Sequence, residues 1–127
     1  MYRKAFTMIE VIFVIVIIGI LAAVAIPLLS TTSNDARGAR IVHDLGVCID
    51  DAGFRYMKSG SFEGVTQPGG NQTASCQAAD ICFNFVETDS NGSLTVINDP
   101  AATSAQCQEA QRIAEQNMMA TTHVINF

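Results

Sequence analysis

The residues of this sequence with the clearest capacity for covalent chemistry are four cysteines, Cys48, Cys76, Cys82 and Cys107. Their spacings contain no Cys-x-x-Cys pair, and neither His43 nor His123 stands at zinc-finger distance from a cysteine pair. An even number of cysteines in a small, loop-rich body outside the cytoplasm indicates disulfides instead. We therefore expect two disulfides and no metal centre.

Two disulfides among four cysteines allow three connectivities, and the sequence alone leaves all three open. Placement favours one hypothesis, Cys48–Cys76 with Cys82–Cys107. In that pairing the end of a long loop reaches back to a helix, and the start of a strand meets a later helix. Each bridge would close a loop of roughly 25–30 residues, which the chain-entropy treatment values at about 3 kcal/mol.

The second chemically unusual residue is Glu10, the one charged side chain in an apolar stretch that runs from Phe6 to Leu29. That stretch is long enough to span a bilayer, which takes about 20 residues. Arg3 and Lys4 precede it and predict a cytoplasmic amino terminus. A plain signal-anchor would explain the length and the orientation. It would not by itself explain a carboxylate that costs about 2–3 kcal/mol near the membrane centre, less near an end, and is usually paired. Three explanations are open: Glu10 reaches the lipid headgroups, it is tolerated because Arg3 lies seven residues away, or it has a positive partner within the membrane.

No constellation of side chains points to catalysis, so we expect a protein that is not an enzyme and that needs no cofactor. Three oxygen-bearing residues around a turn, Asp89, Asn91 and Asp99, could be read as a calcium loop. Their spacing lacks the glutamate of the calcium-binding helix-loop-helix pattern, and a turn explains them. The net charge is −5, which argues against a nucleic-acid-binding surface.

The elements that must position these residues follow from periodicity. After the apolar stretch, an amphipathic stripe predicts a helix that ends near Ser59, with inward-facing Ile41, Leu45, Cys48, Ala52 and Tyr56. The run 30–35 is either a membrane-exit linker or a helix start. Beyond the helix, the patterns predict a loop over 60–76, strands over 81–88, 93–98 and 122–127, and a helix over 103–119. The expected fold class is α+β, with a long helix packed on a small antiparallel sheet.

The first residues carry a resemblance. Ala5-Phe6-Thr7-Met8-Ile9-Glu10, followed by an apolar helix with Gly19 and Pro27, resembles the amino terminus of type IV pilins and their pseudopilin relatives. The match covers about the first 27 residues. Ala5 stands where the family usually has Gly.

The resemblance implies a processing site and an assembly site. A prepilin peptidase would cut between Ala5 and Phe6 and methylate the new amino group of Phe6. The Glu10 carboxylate would then pair with the Phe6 amine of a neighbouring subunit. Gly19 and Pro27 would mark the stretch where the helix loosens and lets a filament bend. The leader would be 1–5, the transmembrane or filament-core segment 6–29 and the periplasmic or extracellular head 30–127.

The sequence therefore predicts a type IV pilin-like filament subunit, made as a single-pass inner-membrane precursor. Its implied partners are further copies in a helical filament, the peptidase, membrane lipid, and an assembly platform with a cytoplasmic ATPase. Two alternatives stay open: a type II secretion pseudopilin, and a single-span protein with a binding head. Adhesion, motility, DNA uptake and secretion are not distinguished by these residues.

Overall fold

The computed structural model describes residues 6–62, 64–66, 72–120 and 123–127, with the backbone alone described at 123 and 124. The elements in chain order are α1 (Met8–Ser59), α2 (Ala74–Ala79), β1 (Phe83–Thr88), β2 (Ser93–Asn98), α3 (Ala105–Gln116) and β3 (His123–Asn126). Contacts divide the chain into two compact units, an N-terminal unit up to Ser33 and a head from Asn34 to Phe127. The expected α+β class, with a long apolar helix, a small antiparallel sheet and two disulfides, is confirmed.

In the N-terminal unit, α1 is helical through both Gly19 and Pro27. Proline has no N–H, so the carbonyl of Ala23 lacks its usual helical partner. Just beyond, the hydroxyls of Thr31 and Thr32 donate to the carbonyl of Leu28 at 2.9 and 3.0 Å. These bonds satisfy polar side chains within the helix itself, and the run 30–35 continues the helix instead of forming a linker.

In the head, one face of α1 is buried against the remaining elements of the head. Leu45, Cys48 and Ala52 are fully buried, as the amphipathic stripe predicts, while Ile41 and Tyr56 are half-buried at its margins. Gly53 belongs to the same face. A Cβ built there would lie 2.3 Å from the ring of Phe127, so only glycine admits that ring against the helix.

The three strands form one antiparallel sheet in the order β1-β2-β3. In the register, Phe85 lies opposite Val96 and Leu94 lies opposite Ile125. The β1–β2 turn ends at Gly92, whose φ of +65° is the left-handed region that favours glycine. A side chain there would also meet the Tyr56 ring at 2.6 Å, so this turn fits directly over the last turns of α1.

Two buried clusters fill the space between α1 and the sheet. The first contains Val42, Leu45, Cys82, Phe83, Val96 and the inner face of α3. The second contains Cys48, Ala52, Phe62, Val65, Cys76 and Leu94. Phe62, which the sequence leaves as either core or contact residue, is fully buried and is therefore core. Each cluster includes one pair of cysteines.

Two sequence expectations about elements need correction. The segment expected as loop up to Cys76 contains α2, because Thr73 caps it by accepting from the Cys76 N–H at 3.4 Å. Ile81 was expected to begin β1 and face inward. It lies instead in a turn with 60% of its surface exposed, and its neighbour Cys82 takes the buried position.

The remaining differences are at element ends. α3 begins after Ser104, which accepts from the Cys107 N–H, and it ends at Gln116, inside the expected 103–119. Met118 then takes a φ of +55°, which stops the helix. β3 is two residues shorter than expected. Residues 63 and 67–71 of the expected loop and the leader 1–5 lie outside the described residues.

Candidate functional site

The first turn of α1 presents the two residues of the expected assembly site. Phe6 precedes the helix with 76% of its surface exposed. The Thr7 carbonyl accepts from the Glu10 N–H at 3.1 Å, and the helix begins at Met8. Glu10 is exposed and lies in the first helical turn, where the helix dipole favours a negative charge. Ala5, the other residue of the expected cleavage site, lies outside the described residues.

The helix that follows is apolar on all sides and has no cover in this unit. The most apolar 18-residue window of α1 has a mean hydropathy of 3.2, and none of it is buried. Ile, Val, Leu and Phe side chains over residues 9–29 expose between 41% and 76% of their surface. Burying one such side chain is worth about 1.5–3 kcal/mol, so covering this helix gains tens of kcal/mol. By length and composition α1 can cross a membrane.

The two residues expected to give the helix flexibility sit in open surroundings. A Cβ added at Gly19 would meet no atom within 4 Å. Pro27 lines an apolar groove with Val24, Leu28 and Thr31. Both positions are therefore accessible to a second helix, and loosening of the helix between them in a filament stays a prediction.

The four expected cysteines form two disulfides in the head. Cys48 is joined to Cys76 with their Cα atoms 4.7 Å apart, and Cys82 to Cys107 with their Cα atoms 5.1 Å apart. These are the pairs that placement favours in the sequence. The first bridge fixes α2 on α1, and the second fixes the start of β1 on α3. All four are 1% exposed or less, so the bridges are structural parts of the core.

The oxygen-bearing residues Asp89 and Asn91 in the β1–β2 turn, and Asp99 after the end of β2, serve as internal acceptors. The Asp89 carboxylate accepts from the Phe62 N–H and from the Ser61 hydroxyl, each at 3.0 Å. The Asn91 side chain accepts from Ser93 at 2.8 Å, and Asp99 accepts from the Ala101 N–H at 2.9 Å. Within the described ranges, no three His, Cys, Asp or Glu side chains are grouped to hold a metal ion. Asp89 and Asn91 thus make hydrogen bonds at the β1–β2 turn, whereas Asp99 lies at the opposite end of the sheet, beside Cys82.

Comparison with known proteins decides what the first turn and the apolar helix belong to. Residues 1–26 match the family model described as the prokaryotic N-terminal methylation motif. The chain carries the prepilin methylation motif. This motif is the hallmark of the type IV pilin and pseudopilin family, and the matched range includes Ala5, Phe6, Glu10 and Gly19. The comparisons with curated proteins and with solved structures gave no match.

The motif and the helix together support a membrane-anchored precursor. The motif also implies processing by a prepilin peptidase and assembly into a filament in general terms, and it indicates a structural protein. Pro27 lies one residue beyond the matched range. The head, from Asn34 onward, lies wholly outside it, so the function of the head has to be argued from its own surface.

Two features of the head surface were missed in the sequence. Phe54 and Met57 lie three residues apart on α1 and expose 68% and 74% of their surface. Their signal was available, because both stand off the buried stripe of the helix while being large and apolar. The second feature is Asp80, which ends α2 and lies near Asp99.

Partial burial raises the pKa of Asp80 above its ordinary value of 3.8, and the Asp99 carboxylate raises it further, while a hydrogen bond from Gln72 opposes them. The folded head therefore holds the Asp80 proton more tightly than the unfolded chain does. The destabilisation by ionised Asp80 is absent below pH 3.8 and fully present above the raised folded pKa.

Asp80→Asn is consequently expected to stabilise the folded head at pH 7 by up to about 0.5 kcal/mol, the scale of partly exposed substitutions. The gain should vanish below about pH 3.8. Urea unfolding of the full chain in detergent at pH 7 and pH 3 checks this, with exposed Asp50→Asn as the control. An equal gain at both pH values would contradict the explanation by ionisation.

Proposed function

We propose that this chain is the structural subunit of a type IV pilus-like filament. It is inserted in the inner membrane as a prepilin, cut between Ala5 and Phe6, methylated on the Phe6 amine, and packed into a helical fibre through residues 6–29. The observation that carries the proposal is the exposed apolar helix that begins within the methylation motif. This helix has one carboxylate, Glu10, in its first turn.

The physical argument concerns what covers this helix at each stage. Lipid covers it in the precursor, since its length and apolar composition suit a bilayer. In the fibre, neighbouring apolar helices take the place of lipid. Gly19 and the alanines that follow it permit close approach of helices, which is how membrane helices associate. The transfer exchanges one apolar environment for another, so an assembly platform with a cytoplasmic ATPase would drive extraction from the membrane.

The carboxylate of Glu10 favours filament assembly over a role in membrane anchoring alone. An unpaired carboxylate among packed apolar helices is strongly unfavourable, whereas a paired one is tolerable. Cleavage before Phe6 creates a cation, and methylation keeps its positive charge. Pairing of Glu10 with the Phe6 amine of a neighbour would satisfy both charges and fix the axial register between subunits. A plain signal-anchor offers the carboxylate no such partner.

The experiment that tests the processing step is the intact mass of the chain from assembled material. We expect a mass equal to residues 6–127 plus one methyl group and less four hydrogens for the two disulfides. Fragmentation should place the methyl group on Phe6. As a control, Phe6→Ala should still be cut, since the small residue before the bond is unchanged. Assembled material that retains residues 1–5 would defeat the proposal.

The same subunit chemistry serves a surface fibre and a short periplasmic pseudopilus. Electron microscopy of sheared and unsheared cells separates them, because only a surface fibre is released by shear. We expect release of fibres many subunits long. Restriction of the processed chain to the periplasm would assign it to a secretion pseudopilus.

A further inference from the structure

Phe54 and Met57 are exposed apolar residues of α1 in the head. Together with the adjacent Lys58 they form a surface that is here called the Phe54 patch. Lys58 is exposed and stands in the last turn of the helix. Beside the patch runs a groove of about 320 Å³, lined by Asp51, Phe54, Arg55, Lys58 and Thr73. Two large apolar side chains with more than two thirds of their surface exposed, next to cations, are typical of a protein contact surface.

The charge distribution of the chain indicates what such a surface would bind. Residues 34–59 hold four acidic and four basic side chains, whereas residues 60–127 hold seven acidic side chains and one basic. The cations of the head are thus concentrated on α1, and the surface beyond α1 is acidic. Another copy of this chain therefore offers the charge complement of the Phe54 patch.

Within the acidic part, one place also offers an apolar side chain, here called the Ile81 knob and made of Asp80, Ile81 and Asp99. Ile81 exposes 60% of its surface in the turn before β1. The Asp99 N–H donates to the Cys82 carbonyl at 3.1 Å, which holds Asp99 beside that turn. The carboxylates of Asp80 and Asp99 repel each other, so a cation from another molecule would stabilise both.

The knob and the patch lie at different ends of the head along α1. Cys82 packs in the cluster that contains Val42, whereas Phe54 follows Ala52 of the other cluster. Twelve residues of helix separate Val42 from Phe54, which is about 18 Å. A contact between two different surfaces of identical subunits is heterologous, and such contacts propagate into open helical filaments when the rotation does not close a ring.

We propose that the Phe54 patch of one subunit binds the Ile81 knob of a second copy of this chain. Ile81 packs on Phe54 and Met57, and the carboxylates of Asp80 and Asp99 face Lys58. The proposal rests on the proposed filament function and adds to it a head contact independent of Glu10.

The direct test is cross-linking in the full chain, expressed in cells, with a photoreactive benzoylphenylalanine in place of Met57. We expect cross-linked dimers in which the probe at position 57 is attached to residues 79–82 or 99–101 of the second copy. Met118 is the matched control, because it is 73% exposed against 74% for Met57 and belongs to neither surface. Attachment to another protein, attachment between two copies of position 57, or no cross-link at all would overturn the proposal.

A charge exchange tests the pairing itself. Lys58→Glu should lower the yield of sheared filaments about two- to fivefold, the range of exposed ion pairs, and added salt should lower the wild-type yield in the same direction. Lys58→Glu combined with Asp80→Lys should restore the yield, because opposite charges again face each other across the contact. A cation is tolerated at the end of α2, since it suits the helix dipole. Arg37→Glu, an exposed cation near the other end of the head, should leave the yield unchanged.

Ile81→Gln provides a second variant that leaves the charges in place, and correct disulfides on a non-reducing gel show that each variant has folded. Normal yields from both Lys58→Glu and Ile81→Gln, or no recovery in the double variant, would overturn the contact. Filaments that lack the 57-to-81 cross-link would leave the proposed function standing and refute this inference. Cross-links in a chain that never forms filaments would support this inference and refute the proposed function.

Discussion

Glu10→Ala is expected to reach the membrane at wild-type levels or above and to form almost no filaments. In the precursor, the substitution removes a carboxylate from the apolar segment, which lowers the free energy of insertion. In the fibre, it leaves the Phe6 amine of a neighbour without its partner. Breaking one side of a buried charge pair costs about 3–5 kcal/mol, so subunit association should weaken more than about a hundredfold.

The matched variants of Glu10 separate charge from shape. Glu10→Gln keeps the length of the side chain and loses its charge, so it should fail almost as completely as Glu10→Ala. Glu10→Asp keeps the charge on a shorter stem and should give an intermediate yield. The measurements are membrane level by immunoblot and filament yield after shear. Normal filaments from Glu10→Ala would refute the pairing mechanism even if the protein proved to be processed as a pilin.

The parts of this fold that the sequence predicted are those in which one strong local signal acts alone. The apolar run beginning near Phe6 predicts a long helix, because a single segment in a membrane can satisfy its backbone hydrogen bonds only as a helix. The turn from Asp89 to Gly92 is equally clear, since its residues favour a turn and the flanking residues alternate. In such places local preference and tertiary structure agree.

The sequence failed where a distant contact decides the outcome. α2 has only six residues, and it is held by the Cys48–Cys76 bridge as well as by its Thr73 cap. Ile81 and Cys82 compete for one buried position, and the disulfide to Cys107 gives it to Cys82. Neither result is visible in periodicity, because both depend on partners 25 or more residues away.

The candidate sites also divide into those that a local sequence signal predicts and those that depend on the folded structure. Ala5, Phe6 and Glu10 belong to a short linear motif, so the sequence alone singles them out and the family model matches the same range. The Phe54 patch lies on one face of α1, whereas the Ile81 knob is a surface assembled from two separate segments. The position of Phe54 and Met57 off the buried stripe is visible in the sequence, whereas the exposure of Ile81 is visible only in the folded head.

Removal of either disulfide is expected to have the largest effect on the stability of the head. The bridges close loops of 28 and 25 residues, and the chain-entropy treatment gives about 3 kcal/mol for each. A small domain is stable by only about 5–15 kcal/mol in total, so the paired replacement Cys48→Ala with Cys76→Ala should lower the urea midpoint substantially. Removal of both bridges should leave the head largely unfolded at 37 °C.

The comparison between the two bridges shows where the stabilisation comes from. Loop closure depends only weakly on length, so lengths of 28 and 25 predict costs that differ by about 0.1 kcal/mol. We therefore expect nearly equal midpoints when the full chain is unfolded in detergent, with alanine in place of each pair so that no free thiol or buried hydroxyl remains. Gln111, which donates to the carbonyls of Cys82 and Asp99 at 2.9 and 3.0 Å, holds α3 beside β1 independently of the second bridge. Gln111→Ala added to the Cys82–Cys107 replacement should therefore destabilise the head further. If the two paired replacements differed by several kcal/mol, loop entropy would not be the main term, and local packing around the more costly bridge would have to account for the difference.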